Sequence, residues 1–115
     1  MKQPTASQQI IDEVTSWQGV TAGPGQRGEF AFKVGRRELG HLHGDHVLHT
    51  GFPKAVWTEL YDQGRIDYHP VFPDRPGPAS RRIENEADVR DAIELLRLNY
   101  VRVAKSVDSR EEAST

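Results

Sequence analysis

Between residues 29 and 50 the chain alternates side-chain character with a period of two, and two tight-turn dipeptides, Gly35-Arg36 and Gly44-Asp45, interrupt the alternation. Period two is the signature of a half-buried strand, and a two-residue turn between such runs makes an antiparallel hairpin. This predicts a three-stranded meander of 29–34, 37–43 and 46–50. A turn at Gly35-Arg36 sets Lys33 opposite Glu38 and Phe32 opposite Leu39, both favourable cross-strand pairs. Continued, that register pairs Phe30 with His41. A turn at Gly44-Asp45 pairs His43 with His46 and His41 with Leu48. Opposed residues share a face, so Phe30, Phe32, Leu39, His41, His43, His46 and Leu48 are expected on one side, the side the helices cover. A three-residue loop, Gly44-Asp45-His46, would instead turn His46 away and bring His49 round.

Helical periodicity brackets the meander. Ile10, Ile11, Val14 and Trp17 follow Ser7, a candidate N-cap, and Gly19 stands where a helix stop falls. The glycine-rich segment 19–28 reads as a loop. Phe52-Pro53 opens a second helix with Val56, Trp57, Leu60 and Tyr61 on its apolar stripe and Gly64 at its end. Residues 66–72 alternate like a strand that Pro70 restricts to a sheet edge, and 80–84 form one more short strand. Asn85 caps the clearest helix, whose stripe is Val89, Ile93, Leu96, Tyr100 and Val103. The expected fold class is α+β, in the order α-β-β-β-α-β-β-α, with helices packed on one face of an antiparallel sheet. Residues 1–105 form a single domain and 106–115 a polar C-terminal tail.

Several functional classes are disfavoured outright. With no cysteine there is no disulfide framework, thiolate nucleophile or cysteine-ligated metal. A net charge of −2 gives no general attraction to nucleic acid or anionic lipid. No run approaches the roughly 18 apolar residues of a membrane span. The polar start, Met1 to Gln9, lacks the apolar run of a secretory signal, so a cytoplasmic protein is expected. No serine sits in a Gly-x-Ser-x-Gly elbow.

The residues that carry chemistry are the histidines. His41, His43 and His46 form a His-x-His pair on one strand and a third imidazole on its neighbour, a workable zinc ligand set that leaves a fourth position open. Asp45 is the only carboxylate this register places close by, and a turn aspartate usually bonds its own backbone. Gly35 followed by His41-Leu42-His43 matches the opening of the cupin metal motif. Val47 and Leu48 stand where that motif wants glutamate, and the chain has too few strands for a jelly roll. Arg36 and Arg37 at one turn, with Arg81 and Arg82 in the late strand, offer contacts to phosphate or another anion. If the imidazoles cluster on a partly buried face, charging them is disfavoured and stability falls below about pH 6.5.

The run Val34-Gly35-Arg36-Arg37-Glu38-Leu39-Gly40-His41-Leu42-His43-Gly44-Asp45 resembles the signature of short bacterial proteins carrying a luciferase-type domain of unknown function. The same holds for Phe52-Pro53, Gly64-Arg65, the segment His69 to Asp74 and the segment Ile93 to Tyr100. The resemblance covers roughly residues 14 to 103. It implies no flavin site and carries over no catalytic residue. Where the family has Gly-Trp before the late serine, this chain reads Arg75-Pro76-Gly77-Pro78-Ala79-Ser80, and if that tryptophan packs a pocket or platform the departure implies its loss here. The element order is also similar to the YjbR-like (MmcQ-type) fold, which implies DNA contact through a wing at Gly35-Arg36-Arg37. The leading expectation is a non-enzymatic module that binds a small ligand or a protein and needs no cofactor. Second comes a metal-binding module or metal-dependent enzyme, with zinc or another divalent transition metal on His41, His43 and His46. Third is nucleic-acid binding through the four arginines.

Overall fold

The computed structural model describes residues 3–113, with side chains through Lys105. Three helices and a six-stranded antiparallel sheet form one α+β unit. The elements are α1 (Ala6–Thr15), β1 (Val20–Pro24), β2 (Phe30–Val34), β3 (Arg37–His43), β4 (Val47–Gly51), α2 (Lys54–Asp62), β5 (Asp67–Tyr68), β6 (Pro78–Arg82) and α3 (Glu86–Ala113). The sheet order is β1-β2-β3-β4-β6-β5. The expected order of elements is present, with β1 added ahead of the meander. The segment expected as a tail continues α3 as far as Ala113, and residues 114 and 115 lie outside the described residues.

Most elements follow from local chemistry. Thr5, rather than Ser7, caps α1: its hydroxyl accepts from the Gln8 amide and the Gln8 side chain accepts from the Thr5 amide, a reciprocal capping box. Asn85 Oδ1 accepts from the Asp88 amide at the start of α3, as the sequence indicates. The strand β1 replaces the expected loop. It pairs with β2 from Val20↔Val34 to Pro24↔Phe30, as an edge strand. On an edge, proline's missing N–H and glycine's missing side chain are tolerated, so breaker residues do not preclude pairing there. Pro70 lies just beyond the two-residue β5, itself at the other edge.

The register of β2 on β3 differs from expectation in one consequential way. Lys33 faces Glu38, as the turn dictates, but Phe32 faces Gly40 and Phe30 faces Leu42. Leu39 is the extra residue of a β-bulge, and one inserted residue sends every later side chain to the opposite face. The phenylalanines therefore go to the helix side with Leu42, while His41 and His43 go to the other. The bulge has a specific support. The Leu39 carbonyl accepts from Thr50 Oγ1 at 2.7 Å and from Nδ2 of Asn99, a residue of α3 that is 2% exposed. Asn99 Nδ2 also reaches Thr50 Oγ1 and the Gly51 carbonyl, each at 2.8 Å.

The core lies between the sheet and the helices. Phe32, Leu42, Leu48 and Ala79 from the strands meet Ile10 and Val14 of α1 and Val89, Ala92, Leu95, Leu96 and Val103 of α3. Helix α3 crosses close above β3: a Cβ on Gly40 would lie 2.9 Å from Leu96 Cδ2 and 3.0 Å from the His49 carbonyl. Any larger residue there would force Leu96 or the β4 backbone to shift. Arg81 faces this side too, where its guanidinium bonds Asp88 and Asp91 of α3, and Arg65 joins it on Asp91. Helices thus cover one face and leave the histidine face open.

Candidate metal centre

The link between β3 and β4 is the three-residue loop Gly44-Asp45-His46, with His43 paired to Val47, Leu42 to Leu48 and His41 to His49. Gly44 sits at φ 59°, the left-handed region glycine enters without steric cost. Asp45 does not bond its own backbone. Its carboxylate accepts from the amide and the hydroxyl of Ser7, at 2.9 and 2.6 Å, tying the loop to the start of α1. The two-residue turn and the grouping of His41, His43 and His46 are thereby corrected. His46 lies in the loop and lines a separate depression with Ala6, Asp45 and Ile83. His49 takes the third place.

On the open face His41 and His49 stand opposite each other, with His43 two residues along β3. Ring centroids are 5.5 Å apart for His41–His49, 5.0 Å for His41–His43 and 4.7 Å for His43–His49. One ring nitrogen from each can be chosen so that all three lie within 4.8 Å of one another. Nitrogens on a tetrahedral zinc at about 2.0–2.1 Å are separated by about 3.3 Å, so small side-chain rotations close the set. A fourth imidazole, His69, follows β5 and packs against His49 with centroids 4.1 Å apart and the ring planes tilted by 50°.

Electrostatics divide these rings. Glu38 Oε2 lies 3.0 Å from His41 Nδ1. That hydrogen bond raises the His41 pKa and holds the Glu38 carboxyl below its ordinary value. It places the ring proton on Nδ1 and points the Nε2 lone pair elsewhere, as carboxylate partners do for metal-binding histidines. The bulge makes the pairing possible by bringing residues 38 and 41 to one side, a carboxylate support the unbulged register did not offer. His49 is pushed the other way, to about 4, first by burial and then by His69, His43 and His41. It is therefore neutral at pH 7, with a lone pair to donate. His69 is also lowered, mainly by burial. Among the described residues, no hydrogen bond to a protein group engages the ring nitrogens of His43 or His49.

Beside the imidazoles opens a cleft of about 420 Å³ lined by His41, His49, His69, Glu38, Leu39, Phe52, Phe72 and Pro78. A larger hollow of about 620 Å³ lies along Arg65, Asp67, Arg81 and Asp88, but Arg65 and Arg81 there are already bonded to carboxylates of α3.

Residues 36–99, more than half of the chain, match the model of the Luciferase domain. The chain belongs to the Luciferase domain family. No curated protein and no solved structure matches it, and the similarity to the YjbR-like fold is not confirmed. The Luciferase domain match contains all five histidines, Glu38, and Asn99 at its last position.

The four arginines of the anion-contact reading are not gathered. Arg36 and Arg37 sit at the β2–β3 turn. Arg82 pairs with Val47, which pairs with His43 at the far end of β3, roughly 20 Å away at about 3.3 Å per residue. Arg81 is inside the ion-pair network, and exposed Arg82 lies 3.9 Å from Glu84. No helix among the described residues is long and apolar enough to cross a membrane.

Sequence reasoning missed His49 as first choice, His69 and Glu38. The signal for His49 was the length of the loop at residues 44–46. For Glu38 it was the spacing of three before His41, which reaches the same side only across a bulge. Nothing local marks His69, because β5 reaches β4 only through β6.

Proposed function

We propose that the open sheet face is a three-histidine site for a divalent transition metal, zinc first among them, with His41, His43 and His49 as ligands. The observation that carries this reading is the convergence of three imidazoles whose nitrogens lie within 4.8 Å, one of them oriented by Glu38. An all-imidazole set suits zinc, copper, nickel or iron and does not suit calcium or magnesium, which take oxygen ligands. Structural zinc sites close with four protein ligands. Three ligands beside a cleft leave a position for water or a bound molecule, the arrangement of a working site. A metal held there would act as a Lewis acid and lower the pKa of a bound water to about 7.

The ligand-binding module expected from the sequence and the metal-dependent alternative therefore meet in one place, the cleft beside His49. The test is calorimetry and metal analysis on stripped protein titrated with zinc at pH 7.5. One equivalent should bind. His49→Ala and His43→Ala should each weaken binding at least tenfold, while His46→Ala leaves it unchanged. Uptake below about a tenth of an equivalent with no heat of binding, or loss of affinity in His46→Ala equal to that in His49→Ala, would overturn the reading.

A further inference from the structure

We propose that His69 is the hydrogen-bond donor of this site, and that the cleft receives a small monocarboxylate with one oxygen at the metal and its apolar body against Phe52 and Phe72. The proposal rests on the metal reading above and adds to it a donor residue and a ligand class.

The role of His69 follows from its tautomer. The backbone N–H of Val71 donates to His69 Nδ1 at 3.1 Å. That lone pair is engaged, so the proton of the neutral ring sits on Nε2. His41 is set in the opposite sense, with Nδ1–H donated to Glu38 and the Nε2 lone pair left for a metal. Two imidazoles that line one cleft are thus fixed for different tasks, one to ligate and one to donate. A tight bridge between His69 and Phe72 holds the donor ring in place, and its contact with His49 keeps it beside the candidate ligands.

The ligand class follows from the walls and the charge. Leu39, Phe52, Phe72 and Pro78 are apolar, and no lysine or arginine lines the cleft. Arg75 stacks on the Phe72 ring at 4.4 Å and is not among the residues that line the cleft. Thr50 donates to the Leu39 carbonyl, and Glu38 is engaged by His41. Three neutral imidazoles leave a divalent ion's charge intact. Glu38 balances half of it, and one further negative charge balances the rest. A dianion such as phosphate would carry a charge in excess, among apolar walls. A hydrocarbon would leave the His69 N–H and the ion without partners. A carboxylate on a short apolar body satisfies all three.

The test uses the full chain loaded with cobalt(II), whose visible absorption reports the coordination sphere. At pH 7.5 and constant ionic strength it is titrated with acetate, butyrate and inorganic phosphate. Butyrate should change the bands saturably and bind roughly fourfold more tightly than acetate for each added methylene. His69→Phe should weaken butyrate about tenfold without altering cobalt affinity, and His69→Gln, which retains an N–H donor, should recover most of that loss. Phe72→Ala should erase the preference for butyrate over acetate.

A cobalt complex whose bands no carboxylate perturbs would overturn the ligand class, as would phosphate binding more tightly than butyrate. Cobalt affinity falling in His69→Phe as it does in His49→Ala would make His69 a ligand and overturn its donor role. Failure of cobalt to bind at all would sink the metal reading, and this proposal with it.

Discussion

Acidification should destabilise the metal-free protein through His49, and the structure sets the size of the effect. In the folded chain the ring's pKa is lowered from 6.5 to about 4 by burial and by three neighbouring imidazoles. The unfolded chain therefore takes up this proton first. Stability from His49 is complete above pH 6.5 and is lost as pH falls from there toward about 4. Between pH 7.5 and 5.0 the unscreened loss is about 2 kcal/mol, because a proton held only by the unfolded chain is worth about 1.36 kcal/mol for each pH step below 6.5. The ring borders an open cleft, so solvent screening cuts this by about half, to ~1 kcal/mol. His69, also lowered, adds to the loss. His41 opposes it: raised by Glu38, it contributes stability that is present at low pH and lost as pH rises through its folded value.

The clean measurement is a difference. Wild type and His49→Gln are unfolded in urea with EDTA at pH 7.5 and pH 5.0, which keeps metal out and leaves the His41–Glu38 pair common to both. Wild type should lose about 1 kcal/mol more than the variant on acidification. Equal losses, or a wild type that loses less, would show that the imidazoles do not share a partly desolvated face.

Two further substitutions address how that face is held. Asn99→Leu removes the donor to the Leu39 and Gly51 carbonyls and should cost about 2–3 kcal/mol by urea unfolding, with a weaker zinc affinity because the bulge loses its clasp. A loss below about 0.5 kcal/mol would mean that the bulge stands without it. Asp91→Asn removes the charge shared by Arg65 and Arg81 and should cost about 2 kcal/mol by the same assay, whereas Arg82→Ala should be indistinguishable from wild type. Equal effects of the two would count against a structural role for the network.

What the sequence made legible was whatever one element decides alone. Apolar spacing located α1, α2 and α3, Asn85 marked the start of α3, and the Gly35-Arg36 turn fixed Lys33 against Glu38. The edge strand β1 was hidden because its glycines and proline mimic a loop when no partner strand is in view. The position of His69 was hidden because the order β4-β6-β5 is a tertiary fact. The family signature was legible because it is carried by short local runs, in the meander and in the segments that follow it.

The errors in the site share a deeper cause. Two local choices decide which histidines meet: whether Leu39 bulges, and whether the 44–46 loop has two residues or three. Each is supported from far along the chain. Asn99, 60 residues from Leu39, satisfies the carbonyl that the bulge frees, and Ser7, 38 residues from Asp45, donates twice to the loop. A hairpin of the same sequence without α1 and α3 lacks both supports, and the self-consistent unbulged pairing of Phe32 with Leu39 then competes. Docking of the helices on one face thus selects the register that presents His41, His43 and His49 on the other. The metal face is a product of the packed domain rather than a property of the histidine-rich segment, and an isolated 29–50 peptide should not reproduce its affinity.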